Sequence, residues 1–217
     1  MKTTHYILLI LLAVQGLYAQ EDEVQQPESY TGIWEEGMQP KFNFGAGLFI
    51  PQGKLSDFID TSLLIDLELH IPAHRNHAFD LVLQFVIPNQ TEDFLIQTSI
   101  DTIQARTSFL SNYFFRFNKN LLSEQSKQRL EIGLGVGGST IVTDVRNPFF
   151  EGEDDQEEYE SITTILITPG LKWKFKPSQD TLLTLGLDLH YAPYRIEGAL
   201  EENIGGVAII PRILYSF

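Results

Sequence analysis

The sequence predicts an all-β protein, an eight-stranded antiparallel up-and-down transmembrane β-barrel. Three observations predict it. From Lys41 onward the residues alternate with the period of two that marks a strand with two different faces. One of those faces carries no charge in any segment. The connections between segments alternate between short and long.

The region before the barrel divides in two. Lys2 is followed by an apolar run from Tyr6 to Val14, and Gln15-Gly16-Leu17-Tyr18-Ala19 then leads into an abrupt acidic stretch. This reads as a secretory signal peptide over residues 1–19, cut after Ala19. The run falls well short of the roughly 20 residues that a helix needs to cross a bilayer. Residues 20–40 then hold six acids, Glu21, Asp22, Glu23, Glu28, Glu35 and Glu36, and no base. They form an acidic periplasmic extension, and residues 41–217 form the barrel domain.

The formal net charge of -14 is segregated. Most of it lies in residues 20–40 and in residues 144–160, where eight acids face the single base Arg146. Such a chain is a poor match for nucleic acid, whose phosphates repel it. With Cys 0 there is no disulfide framework, thiolate metal site or catalytic thiol.

The segments follow in order. Residues 41–50, "KFNFGAGLFI", set Phe42, Phe44, Leu48 and Ile50 against Asn43, Gly45 and Gly47. Residues 62–72 set Leu63, Ile65, Leu67, Leu69 and Ile71 against Asp66, Glu68 and His70. Residues 78–87 repeat this, with Phe79, Leu81, Leu83, Phe85 and Ile87 on one side and Asp80 and Gln84 on the other. Residues 102–117, 129–143, 161–175, 181–191 and 204–217 complete the set, and no helical period competes with them. Pro169 and Pro211 interrupt the sixth and eighth segments. Each removes a ladder hydrogen bond, so a bulge or kink is expected at Pro169–Gly170.

The direction of the faces decides the class. A soluble barrel must turn its apolar face inward and expose the other to water. Here the second face mixes charges, bulky groups and glycines, as a narrow lumen requires where large side chains need small ones opposite. The uncharged face then meets lipid, and the segments reach the about 9–11 residues that a tilted membrane strand needs. On the side of the termini the links 73–77 and 176–180 are short and 118–128 is intermediate, and longer links lie on the other side. That asymmetry places the termini in the periplasm. The segment with Glu151, Glu153, Asp154, Asp155, Glu157 and Glu158 becomes an acidic external loop. Tyr113, Phe115, Phe117, Trp173, Phe175, Tyr215 and Phe217 fall at the periplasmic ends of the apolar face, where rings favour the interface.

The chain closes on "PRILYSF", with Ile213, Tyr215 and Phe217 alternating toward an aromatic end. In this and in its eight segments it resembles the small outer-membrane β-barrel families of Gram-negative bacteria, of the OmpA/OmpX and PorT-like type. The resemblance implies that Ile213, Tyr215 and Phe217 are the signal read by the barrel-assembly machinery. It also implies location in the outer membrane, contact with outer-membrane lipid and, for the PorT-like type, a part in secretion or envelope biogenesis.

The inward face supplies the candidate chemistry. Asp66, Glu68, His70, Asp80, Arg106, Arg116, Arg129, Glu131, Lys172, Lys174, Asp188, His190 and Arg212 are read as a luminal polar network. Side chains fill an eight-stranded barrel, so opposite charges should pair across it and plug it. His70 and His190 each lie two residues from an acid, Glu68 and Asp188, as a general base and its orienting carboxylate would. No nucleophile accompanies them, and no catalytic set is assigned. The acidic loop lacks the regular spacing of a calcium loop, so no metal or other cofactor is expected. "TGIW" (Thr31 to Trp34) matches the Gly-x-Trp of lipocalins, but a lipocalin would bury Asp66, Glu68, Arg116 and Lys174 in a ligand cavity.

The expected function is a non-catalytic, monomeric outer-membrane barrel, a structural or binding component or accessory subunit of an envelope or secretion assembly. A protein partner would meet the acidic tail or loop. The alternatives are a lipid-modifying enzyme, a narrow passive channel and, last, a secreted lipocalin-like carrier.

Overall fold

The structure, a computed structural model, describes residues 40–74, 76–97, 102–123, 126, 128–146, 159–177, 181–195 and 203–216. The signal peptide, all but the last residue of the acidic extension, the acidic loop from Glu151 to Glu158, and Phe217 lie outside the described residues.

Among the described residues there are ten strands, numbered in chain order: β1 (Lys41–Gln52), β2 (Ile59–His74), β3 (His77–Gln90), β4 (Phe94–Gln97), β5 (Thr102–Ala105), β6 (Thr107–Asn120), β7 (Gln128–Arg146), β8 (Tyr159–Phe175), β9 (Leu182–Arg195) and β10 (Asn203–Ser216). Eight of them close into a barrel in the order β1-β10-β9-β8-β7-β6-β3-β2, and β4 and β5 form a separate hairpin. Every barrel neighbour is antiparallel, and β1 joins β10 with Phe44 opposite Tyr215 and Gly45 opposite Leu214. Because a strand's side chains alternate, this register fixes which residues share the lumen. Asn43, Asp66, Asp80, Gln84, Asn112, Arg116, Lys172, Asp188 and Arg212 are buried inside, whereas Phe42, Phe44, Leu63, Leu81, Phe115, Leu134, Ile165, Leu187 and Ile213 lie exposed outside.

Three expectations are corrected. The segment 102–117 is not one strand: β5 leaves the barrel to pair with β4, and β6 begins at Thr107. A register irregularity between Thr107 and Phe109 shifts the alternation by one residue, so Thr107 is buried and Arg106 is exposed. Arg106 therefore stands outside the lumen, with its Nε 3.1 Å from Asp93.

The bulge expected at Pro169–Gly170 is absent, and neither proline shifts the register. Pro169 opposes Leu134 in register on β7, and the β8–β9 pairing lapses between Ile167 and Gly170 but resumes in step. Pro211 pairs with Leu187 in register, and its missing donor falls on the side of β1, where pairing lapses between Gly47 and Ile50. The register shifts lie instead near the strand ends, at Asp60/Leu63, Pro72/His74, Val142/Arg146 and Asn203/Gly205.

One helical turn also appears, α1 (Leu55–Phe58), in a connection from β1 to β2 that spans only residues 53–58. Four residues are too few to show a helical period.

The inner glycines make room for large neighbours. A Cβ on Gly186 would lie 2.8 Å from Arg212 Cγ and Nε, and one on Gly47 would lie 2.9 Å from Arg212 Cβ. Gly133 and Gly135 do the same for Arg116 and Phe114, each at 2.9 Å. The lumen is thus packed by pairing glycine with guanidinium or ring, as close packing in a narrow barrel demands.

Candidate functional site

The filled lumen has two storeys. The half toward the chain termini is ionic. Arg212 on β10 sits at its centre: Nη1 donates to Asp66 Oδ2 at 2.5 Å and to Glu68 Oε2 at 3.4 Å, and Nε lies 2.9 Å from Asp188 Oδ2. Arg116 Nη2 approaches the same Asp188 oxygen at 2.8 Å and donates to Thr168 Oγ1 at 3.2 Å, with the guanidinium carbon 5.1 Å from the centroid of the Phe114 ring. Lys172 donates to both Glu68 and Asp80, and Lys174 lies 2.9 Å from Glu131. His70 Nδ1 meets Asp80 Oδ1 at 2.6 Å and not the Glu68 of its own strand. Strand register thus chooses these partners, and each pairing that involves Asp66, Glu68, Asp80 or Asp188 joins different strands.

Neutral side chains complete the network, and sequence reasoning does not single them out. Asn43 donates to Glu68 at 2.8 Å, Asn118 to Asp80 at 2.5 Å and Gln84 to Asp66 at 2.9 Å. Ser139 donates to Asn112 Oδ1 at 2.5 Å and makes a close contact with the Tyr194 hydroxyl. Their signal is the shared inward phase, which carries no charge to draw attention. Arg129 is partly exposed at the mouth on the side of the termini, beside Glu131.

Two groups bear on ligand chemistry. Glu68, His70 and Asp80 bring three potential ligand atoms within 4.8 Å of one another. The Lys172 ammonium already bridges the two carboxylates, so the arrangement is that of a buried ion cluster. His190 is buried edge-on against Phe114, 5.7 Å between ring centroids, and neither ring nitrogen has a hydrogen-bond partner among the described residues. Asp188 is engaged by two arginines and does not orient it.

The half away from the termini is apolar. Phe49, Leu110, Ile141, Leu166, Ile204 and Ile210 line it, and the connections fold into it. Leu55 and Phe58 of α1 and Phe94 and Ala105 of the hairpin are buried there, with the Phe58 and Phe94 rings 5.1 Å apart. The two connections are tied by Thr91 N donating to Phe58 O and Thr91 Oγ1 donating to Asp57 O, each at 2.8 Å. An apolar stopper therefore sits above an ionic one.

The outside is a lipid-facing surface. Leucine, isoleucine, valine and aromatic side chains cover it, and a shallow groove of about 460 Å³ runs over Leu81, Leu83, Tyr113, Phe115 and Val136. Exposing this much contiguous apolar surface to water would drive association, whereas lipid solvates it. Toward the termini the rings gather: Phe79 lies 5.1 Å from Phe115 and 5.5 Å from Phe117, His77 stacks on Phe117 at 5.4 Å, and Trp173 lies 5.1 Å from Phe175. Ile213 and Tyr215 share this outward face.

No family profile matches the chain, and no curated protein sequence does. Among solved structures, neisserial surface protein A overlaps with a TM-score of 0.54 at 8% identity, covering 82% of this chain and 94% of that one. A major outer membrane protein from Thermus thermophilus overlaps at 0.45 with 11% identity, over 82% and 98% of the two chains. The attachment invasion locus protein Ail of Yersinia pestis overlaps at 0.42 with 10% identity, over 82% and 97%. At such identities the neisserial barrel shares the fold and nothing further, and the other two overlap too loosely to add to that. The chain is an eight-stranded antiparallel up-and-down transmembrane β-barrel, with the fold of the small outer-membrane barrels.

Proposed function

We propose that this chain is a non-catalytic barrel of the outer membrane of a Gram-negative bacterium, acting as a structural or binding component, and more specifically as an accessory subunit of an envelope or secretion assembly. The observation that carries the non-catalytic reading is the double closure of the lumen. Its ionizable groups are engaged with one another in the ionic half, and the connections seal the other half with Leu55, Phe58 and Phe94. A reacting group needs a substrate within hydrogen-bond reach, and the buried histidines offer no such approach. The same filling disfavours a conducting pore.

The subunit reading rests on the charge pattern of the sequence, with an acidic stretch on each side of the membrane available to partners. Ile213 and Tyr215 would address the last strand to the assembly machinery. The test is extraction from the native outer membrane in mild detergent, with identification of what accompanies the barrel. A protein recovered in stoichiometric amount supports the subunit reading. Recovery of the barrel alone, or with lipid only, removes it.

A further inference from the structure

The ladder between β8 and β9 stops short. β8 pairs with β7 as far as Ser161, and β9 pairs with β10 as far as Arg195. Between β8 and β9, no register pair follows Ile167 opposite Tyr191 among the described residues. Continuing that register would set Ile165 opposite Pro193, as a pair that exchanges both backbone hydrogen bonds. Pro193 has no N–H to give, and its carbonyl, turned toward β8, already accepts from Thr164 Oγ1 at 3.1 Å. The Ile165 carbonyl therefore has no ladder donor opposite it, and the Ile165 N–H faces an acceptor that is already engaged.

The gap stands at a defined depth in the wall. Trp173 and Phe175 belong to the aromatic girdle on the side of the termini, and Leu185 lies opposite Trp173. Residues 165–173 of β8 and 185–193 of β9 therefore measure the same height from that girdle, nine residues each. A tilted strand crosses the hydrocarbon in about 9–11 residues, so the gap lies just inside the far boundary, where lipid chains join their headgroups. Ile165, Ile167 and Tyr191 flank it with exposed outward side chains. A backbone carbonyl without a donor is costly there, because hydrocarbon supplies none.

We propose that this gap binds a lipid whose chain is joined through an amide or carries a hydroxyl, in the leaflet away from the termini. Hydrocarbon and ester carbonyls cannot donate a hydrogen bond, whereas an amide N–H or a hydroxyl can give one to the Ile165 carbonyl. An amide carbonyl also accepts from the Ile165 N–H, so such a lipid supplies both bonds that Pro193 does not. Its chain then lies over Ile167 and Tyr191. A partner strand does not fit, because the Thr164 hydroxyl spans from β8 to β9 and leaves no width for another backbone. The inference rests on the membrane reading above and on no protein partner.

The test titrates the folded barrel in detergent with sphingomyelin and with phosphatidylcholine, counting retained lipids by native mass spectrometry. The two share a headgroup, and only sphingomyelin has an amide N–H and a hydroxyl. Wild type should retain sphingomyelin about two- to tenfold over phosphatidylcholine, the worth of one hydrogen bond. Pro193→Ala returns an N–H opposite Ile165 and should bring the two lipids to parity. Pro211→Ala should keep the preference, because Pro211 lies five residues from Tyr215 (211–215), in the middle of the hydrocarbon. In wild type, a sphingomyelin with a photoreactive chain should label Ile165, Ile167 and Tyr191 above other outward residues at that depth, whether or not the variants fold. Equal retention by wild type overturns the proposal. So does a preference unchanged in Pro193→Ala, one lost equally in Pro211→Ala, or labelling spread evenly around the wall. The readouts are a lipid ratio and a labelling pattern, so their failure leaves the subunit reading standing, and absence of a protein partner leaves this proposal standing.

Discussion

Arg212→Met tests the ionic half of the lumen most directly. Methionine keeps much of the aliphatic bulk and removes the charge that serves Asp66, Glu68 and Asp188 together. The losses are unequal. Glu68 retains Lys172 and Asn43, and Asp188 retains Arg116, whereas Asp66 keeps the Gln84 amide at 2.9 Å and no basic partner among the described residues. Breaking a buried ion pair from one side costs about 3–5 kcal/mol, because the remaining charge stays desolvated. With three acceptors affected the expected cost is at the upper end, about 5 kcal/mol, or roughly three to four powers of ten in the unfolding equilibrium. The assay is equilibrium urea unfolding in lipid vesicles, followed by tryptophan emission, since Trp173 faces lipid and its environment changes on unfolding. Asp66→Asn in the same background should recover about 2 kcal/mol or more, as coupled neighbours do. A cost below about 1 kcal/mol for Arg212→Met, the range of exposed pairs, would refute the reasoning.

Other outcomes follow from the same geometry. Gly186→Ala places a methyl group against Arg212 and should cost about 1–3 kcal/mol by overpacking, a penalty that shrinks in the Arg212→Met background. Leu187→Arg, near the middle of β9 on the outward face, should destabilise the barrel in vesicles by about 2–4 kcal/mol; no effect would argue against lipid contact there. Phe58→Ala should cost about 3 kcal/mol by opening the apolar stopper. It should leave planar-bilayer conductance at background because the ionic half still closes the lumen, and steady conductance in that variant would show that the upper stopper alone seals the barrel.

Alternation makes most of this legible in the sequence. Leu63, Ile65 and Leu67 against Asp66 and Glu68 announce the two faces of β2, and the glycines opposite large groups announce a tight lumen. The placement of Arg106 is hidden for a definite reason: a single irregular step at Thr107–Phe109 reverses every face beyond it, and composition carries no sign of such a step. The apolar stopper is equally hidden, because Leu55, Phe58 and Phe94 lie in connections whose only instruction to fold inward is the cavity waiting for them. Pairing partners need register. His70 lies two residues from Glu68 along the chain, yet it meets Asp80 across the β2–β3 hairpin.

The position of Arg212 has a consequence for how the barrel assembles. Arg212 belongs to the strand that completes the cylinder, while Asp66 and Glu68 belong to the first hairpin, 146 and 144 residues earlier in the chain. Until β10 arrives beside β1, those carboxylates have no guanidinium from that strand, and a sheet curled but still open must keep part of them hydrated. Desolvation of the lumen and joining of the seam are therefore one event. A barrel missing its last strand would be a wet, acidic trough and not a slightly weaker cylinder, so the counter-charge carried by β10 makes closure all-or-none.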